Sequence, residues 1–204
     1  MSRNSLLQNK IAALAGPLLA PMGLEVWGLE FLAGKRALLR LYIETAGGRL
    51  SRDGAAGPGI DECEKVSRLL GLVLDAEDIV PFPYILEVST PGLERPLFTA
   101  EQLAACLEQE VEIALAAPPE AFAGRKRFRG WLCAALSPQG ADPWRFALRP
   151  REEEEDGSFC ATAAGEKTEH ELNFDWTQVK KARLLYVWPE KPGVPKRASK
   201  RRTK

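Results

Sequence analysis

One histidine, two methionines, no Cys-x-x-Cys pair and no net charge of either sign: the chain is first described by what it lacks. The four cysteines, Cys63, Cys106, Cys133 and Cys160, are 43, 27 and 27 residues apart, and only His170 could complete a metal set with them. That spacing does not make a zinc site, and a chain of this length can form a core without disulfides. The cysteines are read as buried or free thiols in a reducing compartment. No stretch approaches the ~18 uncharged apolar residues that span a bilayer. The 28 basic residues cancel the 28 acidic ones, which excludes a uniformly basic, histone-like surface.

The cancellation is uneven. Residues 1–98 carry 10 basic and 12 acidic residues, residues 99–188 carry 11 and 15, and residues 189–204 carry 7 and 1. A mildly acidic body thus ends in a basic tail. With 204 residues, 45% of them hydrophobic, the chain has apolar mass for one large or two small cores, and wholesale disorder is excluded.

Behind Lys10, Ile11 to Ala20 has the outline of a short signal-peptide region. Leu7, Ile11, Leu14 and Leu18 recur at helical spacing, however, and Gly16 and Pro17 interrupt the run. An amphipathic helix in a soluble cytoplasmic protein is expected. Residues 24–32 and 36–44 read as a hairpin around Ala33-Gly34-Lys35, with Ala37, Leu39, Leu41 and Ile43 alternating against Arg36, Arg40 and Glu44. Residues 45–59 hold five glycines and form a loop. From Ile60 the period becomes helical through Cys63, Val66, Leu69, Leu70, Val73 and Leu74, with Asp61, Glu62 and Glu64 in the first turn, where negative charge suits the helix dipole. After Pro81 and Pro83, Tyr84 to Ser89 is a third strand. The order α-β-β-α-β predicts an N-terminal α/β layer domain over residues 1–97.

Beyond a helical connector at Thr99 to Leu107 the pattern turns to strands. Val111, Ile113 and Leu115 alternate with Glu110, Glu112 and Ala114, and runs at 128–136, 144–148, 169–174 and 179–188 follow. Short strands between Gly and Pro turns predict a C-terminal small β-barrel of the SH3-like or Sm-like class over residues 98–188, so the fold class is α+β. An acidic segment near 150–168, with Glu152-Glu153-Glu154-Glu155-Asp156, is expected as a solvated, disordered insert, and residues 189–204 as a disordered basic tail.

No catalytic constellation emerges. Ser89 and Thr90 precede the turn pair Pro91-Gly92 without a nucleophile-elbow frame, and His170 has no nucleophile placed beside it. The acid pairs Asp61-Glu62 and Glu77-Asp78 suit helix ends, and the glycine-rich 45–59 lacks a phosphate-loop Lys. Two basic patches remain. In Gly124-Arg125-Lys126-Arg127-Phe128-Arg129-Gly130 a turn runs into a strand, so Arg127 and Arg129 project on one face and Phe128 on the other; in Lys180-Lys181-Ala182-Arg183, Lys181 and Arg183 share a face. Each is either a solvated face or a site for phosphate or carboxylate.

Ile60 to Arg68 (IDECEKVSR), Leu74 to Asp78 (LDAED) and Leu86 to Leu97 (LEVSTPGLERPL) together resemble the hallmark run of the bacterial ribosome maturation factor RimP family. Gly124 to Gly130 is similar to that family's first barrel hairpin, and Val179 to Leu185 to its closing strand. The resemblance spans residues 5 to 188. It implies a two-domain, non-enzymatic factor without cofactor or metal that binds the free or immature 30S subunit, touching ribosomal RNA and a ribosomal protein near the decoding region as a monomer. On that basis Arg95, Arg125, Lys126, Arg127, Arg129, Lys180, Lys181 and Arg183 are the candidate partner or RNA contacts. Thr90 departs from the family's more frequent serine, and Gly59 replaces a hydroxyl residue, weakening the N-cap of the long helix. The stretch 141–167 is longer than in compact members.

The alternative is a regulatory protein whose Sm-like barrel binds single-stranded RNA, which would need exposed stacking aromatics; Phe128, Trp131 and Trp144 are the candidates. An enzyme, the third reading, would need a perturbed acid or nucleophile in a cleft.

Overall fold

Helix α1 (Arg3–Leu19) places Ile11, Ala15 and Leu19 fully out of water, and Leu7, Leu14 and Leu18 of the expected stripe pack half-buried against the same core. In the computed structural model, residues 3–32, 37–47, 57–122, 124–137, 143–151 and 171–186 are described. The hairpin turn at 33–36, most of the loop 45–59, the acidic insert over 152–170 with Cys160 and His170, and the basic tail lie outside them. Among the described residues no helix is long and apolar enough to cross a membrane.

Strands β1 (Leu24–Leu32) and β2 (Ala37–Thr45) pair antiparallel; α2 (Ile60–Ala76) then crosses over, and β3 (Tyr84–Ser89) runs parallel to β2. The result is a three-stranded sheet ordered β1-β2-β3. Leu39, Leu41 and Ile43 on β2 meet Val66, Leu70 and Leu74 on α2, all essentially inaccessible. Each such side chain stabilises the fold by about 1.5–3 kcal/mol relative to exposure. At the start of α2, the Glu62 carboxylate accepts the Gly59 N–H at 2.8 Å. Gly59 has no side chain to return the bond, so half of the capping box is present.

The second sheet contains β4 (Pro96–Leu97), β5 (Glu110–Leu115), β6 (Arg127–Leu136), β7 (Arg145–Pro150), β8 (Leu172–Asp175) and β9 (Val179–Leu184), ordered β4-β9-β5-β6-β7-β8 with every pair antiparallel. Its inner face gathers Val111, Ile113, Phe128, Leu132, Phe146, Leu148 and Phe174 into one core. The closed barrel expected from the strand count does not form among the described residues. The two-residue β4 and the four-residue β8 end the sheet without pairing with each other. Helix α3 (Ala100–Ala104) supplies Ala100 and Leu103 to the core, and Cys106 just beyond it is also buried there. The chain is thus mixed α+β with two sheets, and the second begins at Pro96.

Trp27 comes from the first sheet yet is buried in the core of the second. Its indole N–H donates to the Pro96 carbonyl at 2.7 Å. The two sheets are therefore joined through a side chain as well as through the covalent connector.

Candidate nucleic-acid interface

The pleat of the second sheet sends Glu110, Glu112 and Ala114 of β5 away from the core that holds Val111, Ile113 and Leu115. Register then decides who stands beside them. Ala114 pairs with Arg127 on β6 and with Lys181 on β9, forming the row Lys181–Ala114–Arg127. The next row is Arg183–Glu112–Arg129. Two basic segments more than fifty residues apart in the chain are thereby brought onto one face, one strand apart.

Lys180 reaches this face through an irregularity. Ala114 pairs with Lys181 but Leu115 with Val179, so Lys180 is the extra residue of a bulge. Strict alternation would turn it towards the interior side; the bulge leaves it exposed beside Lys181, bordering the same groove. Arg127, Lys126, Lys180 and Lys181 are all exposed and make no ion pair among the described residues.

The second row is neutralised internally. Arg129 Nε donates to Glu112 at 2.7 Å, and Arg183 lies 3.1 Å from the other oxygen of Glu112 and 3.8 Å from Glu94. Burial alone would push the Glu112 carboxyl up, but the Arg129 hydrogen bond and the charges of Arg183, Arg129 and Arg127 prevail and hold it below its ordinary value. One strand end further, Glu110 is buried with Arg151 at 2.7 Å.

A cleft of about 580 Å³ runs between the sheets. Arg127, Lys180 and Lys181 line one wall; Glu30, Leu32 and Tyr42 of the first sheet line the other. Next to that second wall Arg40 bridges Glu87 at 2.8 Å and Glu30 at 3.7 Å, and Tyr42 Oη donates to Glu30 at 3.2 Å. One wall therefore carries the cations Arg127, Lys180 and Lys181, and the other carries Glu30, already paired with Arg40 and Tyr42, among the apolar Leu29, Phe31 and Leu32. The cationic wall can take phosphate oxygens.

The remaining candidates sit elsewhere. Arg125, in the turn before β6, stacks 5.1 Å over the Phe128 ring and donates to the Arg127 carbonyl, and Lys126 is exposed beside it. Arg95 lies on the connector, half-buried, with its guanidinium 3.3 Å from Glu44 and 5.1 Å over the Trp27 ring. The string around it forms the joint between the sheets: Gly92 takes a positive φ of 70°, which a side chain rarely adopts, and Ser89 Oγ donates to the Thr90 carbonyl. Glu112, Glu44 and Trp27 were not singled out as functional by the sequence reading. A Trp-Gly pair inside a strand is the available signal for the last of these, since glycine there often marks a bulge or close approach.

The aromatic platform required by a single-strand regulator is mostly withdrawn. Phe128 is fully buried, and Trp144 stacks on Phe146 with centroids 6.0 Å apart. Trp131 is half-buried between strands on the outer face. Among the described residues no three His, Cys, Asp or Glu side chains are grouped to hold a metal.

Comparison with known proteins places these features in context. The RimP N-terminal domain family matches residues 14–94. A protein of Nitratidesulfovibrio vulgaris strain Hildenborough named ribosome maturation factor RimP is 39% identical over 191 residues, covering 94% of this chain and 97% of its own. The protein of the same name from strain Miyazaki F is 32% identical, covering 90% of this chain and 83% of its own.

Proposed function

The chain belongs to the RimP family of ribosome maturation factors, and from that premise we propose that it is a non-enzymatic assembly factor that binds the free or immature 30S subunit in the cytoplasm as a monomer. The observation that carries this reading is the row Lys181–Ala114–Arg127, where two separate basic segments meet on one sheet face beside Lys180. Each lysine or arginine that meets a phosphate releases condensed counterions, so three clustered cations give local, salt-dependent affinity on a chain without net charge.

In this reading the six-stranded sheet serves as the family's small Sm-like or SH3-like module and grips ribosomal RNA. The wall of the first sheet, with Glu30 beside the apolar Leu29, Phe31 and Leu32, receives a ribosomal protein segment near the decoding region. A composite surface of this kind recognises a junction of RNA and protein, and neither component alone satisfies both walls. Binding of that sort requires no reaction chemistry.

Deleting the gene tests the role. Small subunits with unprocessed RNA should accumulate and growth should slow, most strongly when warm, with recovery on restoring the wild-type chain. Normal subunit profiles in the deletion strain would overturn it.

A further inference from the structure

Between Val26 and Gly28 the β1–β2 register slips, leaving Trp27 as the extra residue of a bulge. A bulge re-aims a side chain, and here it turns the indole out of the first sheet into the second core. Two hydrogen bonds tie Trp27 to the segment beyond the first sheet. The Trp27 N–H donates to the Pro96 carbonyl at 2.7 Å, while the Trp27 carbonyl accepts from Gln102 Nε2 at 2.7 Å. The oxygen of the same Gln102 amide accepts the Phe98 N–H at 2.7 Å and the Thr99 N–H at 3.2 Å. One side chain thus holds β1 against the segment that leads into α3.

Gly28 completes the joint by absence. A Cβ at this position would lie 1.9 Å from Cδ2 of Phe98 and within 2.4 Å of two more ring atoms. The Phe98 ring fills that space and packs on Tyr42 with centroids 5.6 Å apart. Phe98 and Tyr42 both border the groove, Tyr42 on the wall that bears Glu30. Trp27, Gly28 and Gln102 are not on its lining, but Gly28 and Gln102 both lie against Phe98, which is.

We propose that Trp27, Gly28 and Gln102 are positioning residues for the groove: they lock the first sheet against Pro96–Phe98 and so set the separation of the Glu30–Tyr42 wall from the Lys180–Lys181 wall. The inference rests on the ribosomal reading for the identity of the ligand, though not for the joint itself. Preorganised walls bind without the cost of ordering two free lobes, so a loosened or wedged joint weakens binding with every charged contact still present.

The test uses the full-length chain, with residual dipolar couplings reporting the relative orientation of the two sheets and sedimentation with purified 30S subunits reporting affinity. Gly28→Ala should change the relative orientation and weaken binding about tenfold, while amide shifts inside each core stay in place; adding Phe98→Ala, which removes the clashing ring, should restore orientation and recover most of the loss. Wild-type orientation and affinity in Gly28→Ala would overturn the proposal. So would a double variant whose loss equals the product of the two single losses, since the two residues would then act independently. Gln102→Ala adds no atoms and covers the case in which Gly28→Ala does not fold. It should scale down the inter-sheet couplings and weaken binding, and unchanged values would count against the joint. If the wild-type chain fails to bind 30S, the ribosomal reading falls, and the orientation measurement alone decides the joint.

Discussion

Glu112 on β5 stands directly opposite Arg129 on β6, and its carboxylate accepts the Arg129 Nε–H at 2.7 Å where Glu112 is only 9% exposed. On the other side of β5, Arg183 approaches the second oxygen at 3.1 Å. A central carboxylate with a guanidinium on each flank pins three strands and holds like charges side by side.

This arrangement gives a pH dependence with a definite sign. The folded state holds the Glu112 carboxyl below its ordinary value, so its stabilisation is complete above that value and is lost as pH falls through the folded one. Glu112→Gln should cost about 1–2 kcal/mol at neutral pH, allowing for the partial exposure of Arg129. Urea unfolding of both proteins across the acid range checks it: the difference between them should shrink as pH falls through the carboxylate range.

Adjacent residues on β6 should behave in opposite ways. Phe128 is fully buried and Arg127 exposed on the other face. Phe128→Ala should destabilise by about 3–5 kcal/mol. Arg127→Ala should stay within about 0.5 kcal/mol of wild type. Thermal or denaturant unfolding of the two variants separates a core strand from a surface one.

Burial pushes the Cys106 thiol up to about 12, against the nearby charge of Arg95. At pH 8 a thiol reagent should therefore leave Cys106 unmodified in the native chain and label it only as the protein unfolds, as read by peptide mapping. Rapid native labelling of Cys106 would contradict its place in the second core.

Neutralising Arg127, Lys180 and Lys181 together should weaken 30S binding and lower the slope of log affinity against log salt by about two to three, the amount expected for three lost phosphate contacts. Arg129 is left in place in this variant because it holds Glu112, and removing it would mix folding with binding. Equal slopes for variant and wild type would assign these cations to solvation.

How much of this was legible in the sequence depends on distance along the chain. Helix α2 was readable because Val66, Leu70 and Leu74 follow a single helical stripe, and Tyr84 to Ser89 because proline and alternation bound it. Arg127 and Phe128 were assigned to opposite faces by alternation alone, and the structure agrees. Long-range pairing was not readable. Nothing in Lys180-Lys181-Ala182-Arg183 says that β9 lies between β4 and β5, and without that order Arg183 has no visible tie to Glu112. The bulges escaped for a related reason: strict alternation misplaces Trp27 and Lys180, since an extra residue is defined only by the partner strand. Among the described residues β4 and β8 do not pair where a barrel was expected, because strand number sets neither strand length nor closure.

The measurement that bears most directly on the central claim is sedimentation of the tagged full-length chain with separated 30S, 50S and 70S fractions, run alongside the Arg127, Lys180 and Lys181 variant. The wild-type chain should be recovered with 30S and be nearly absent from 70S, and the variant should be depleted from 30S relative to wild type, most clearly at low salt. Equal recovery on 30S and 70S, with competition by short RNA oligonucleotides in every fraction, would contradict the claim and favour a general single-strand RNA binder.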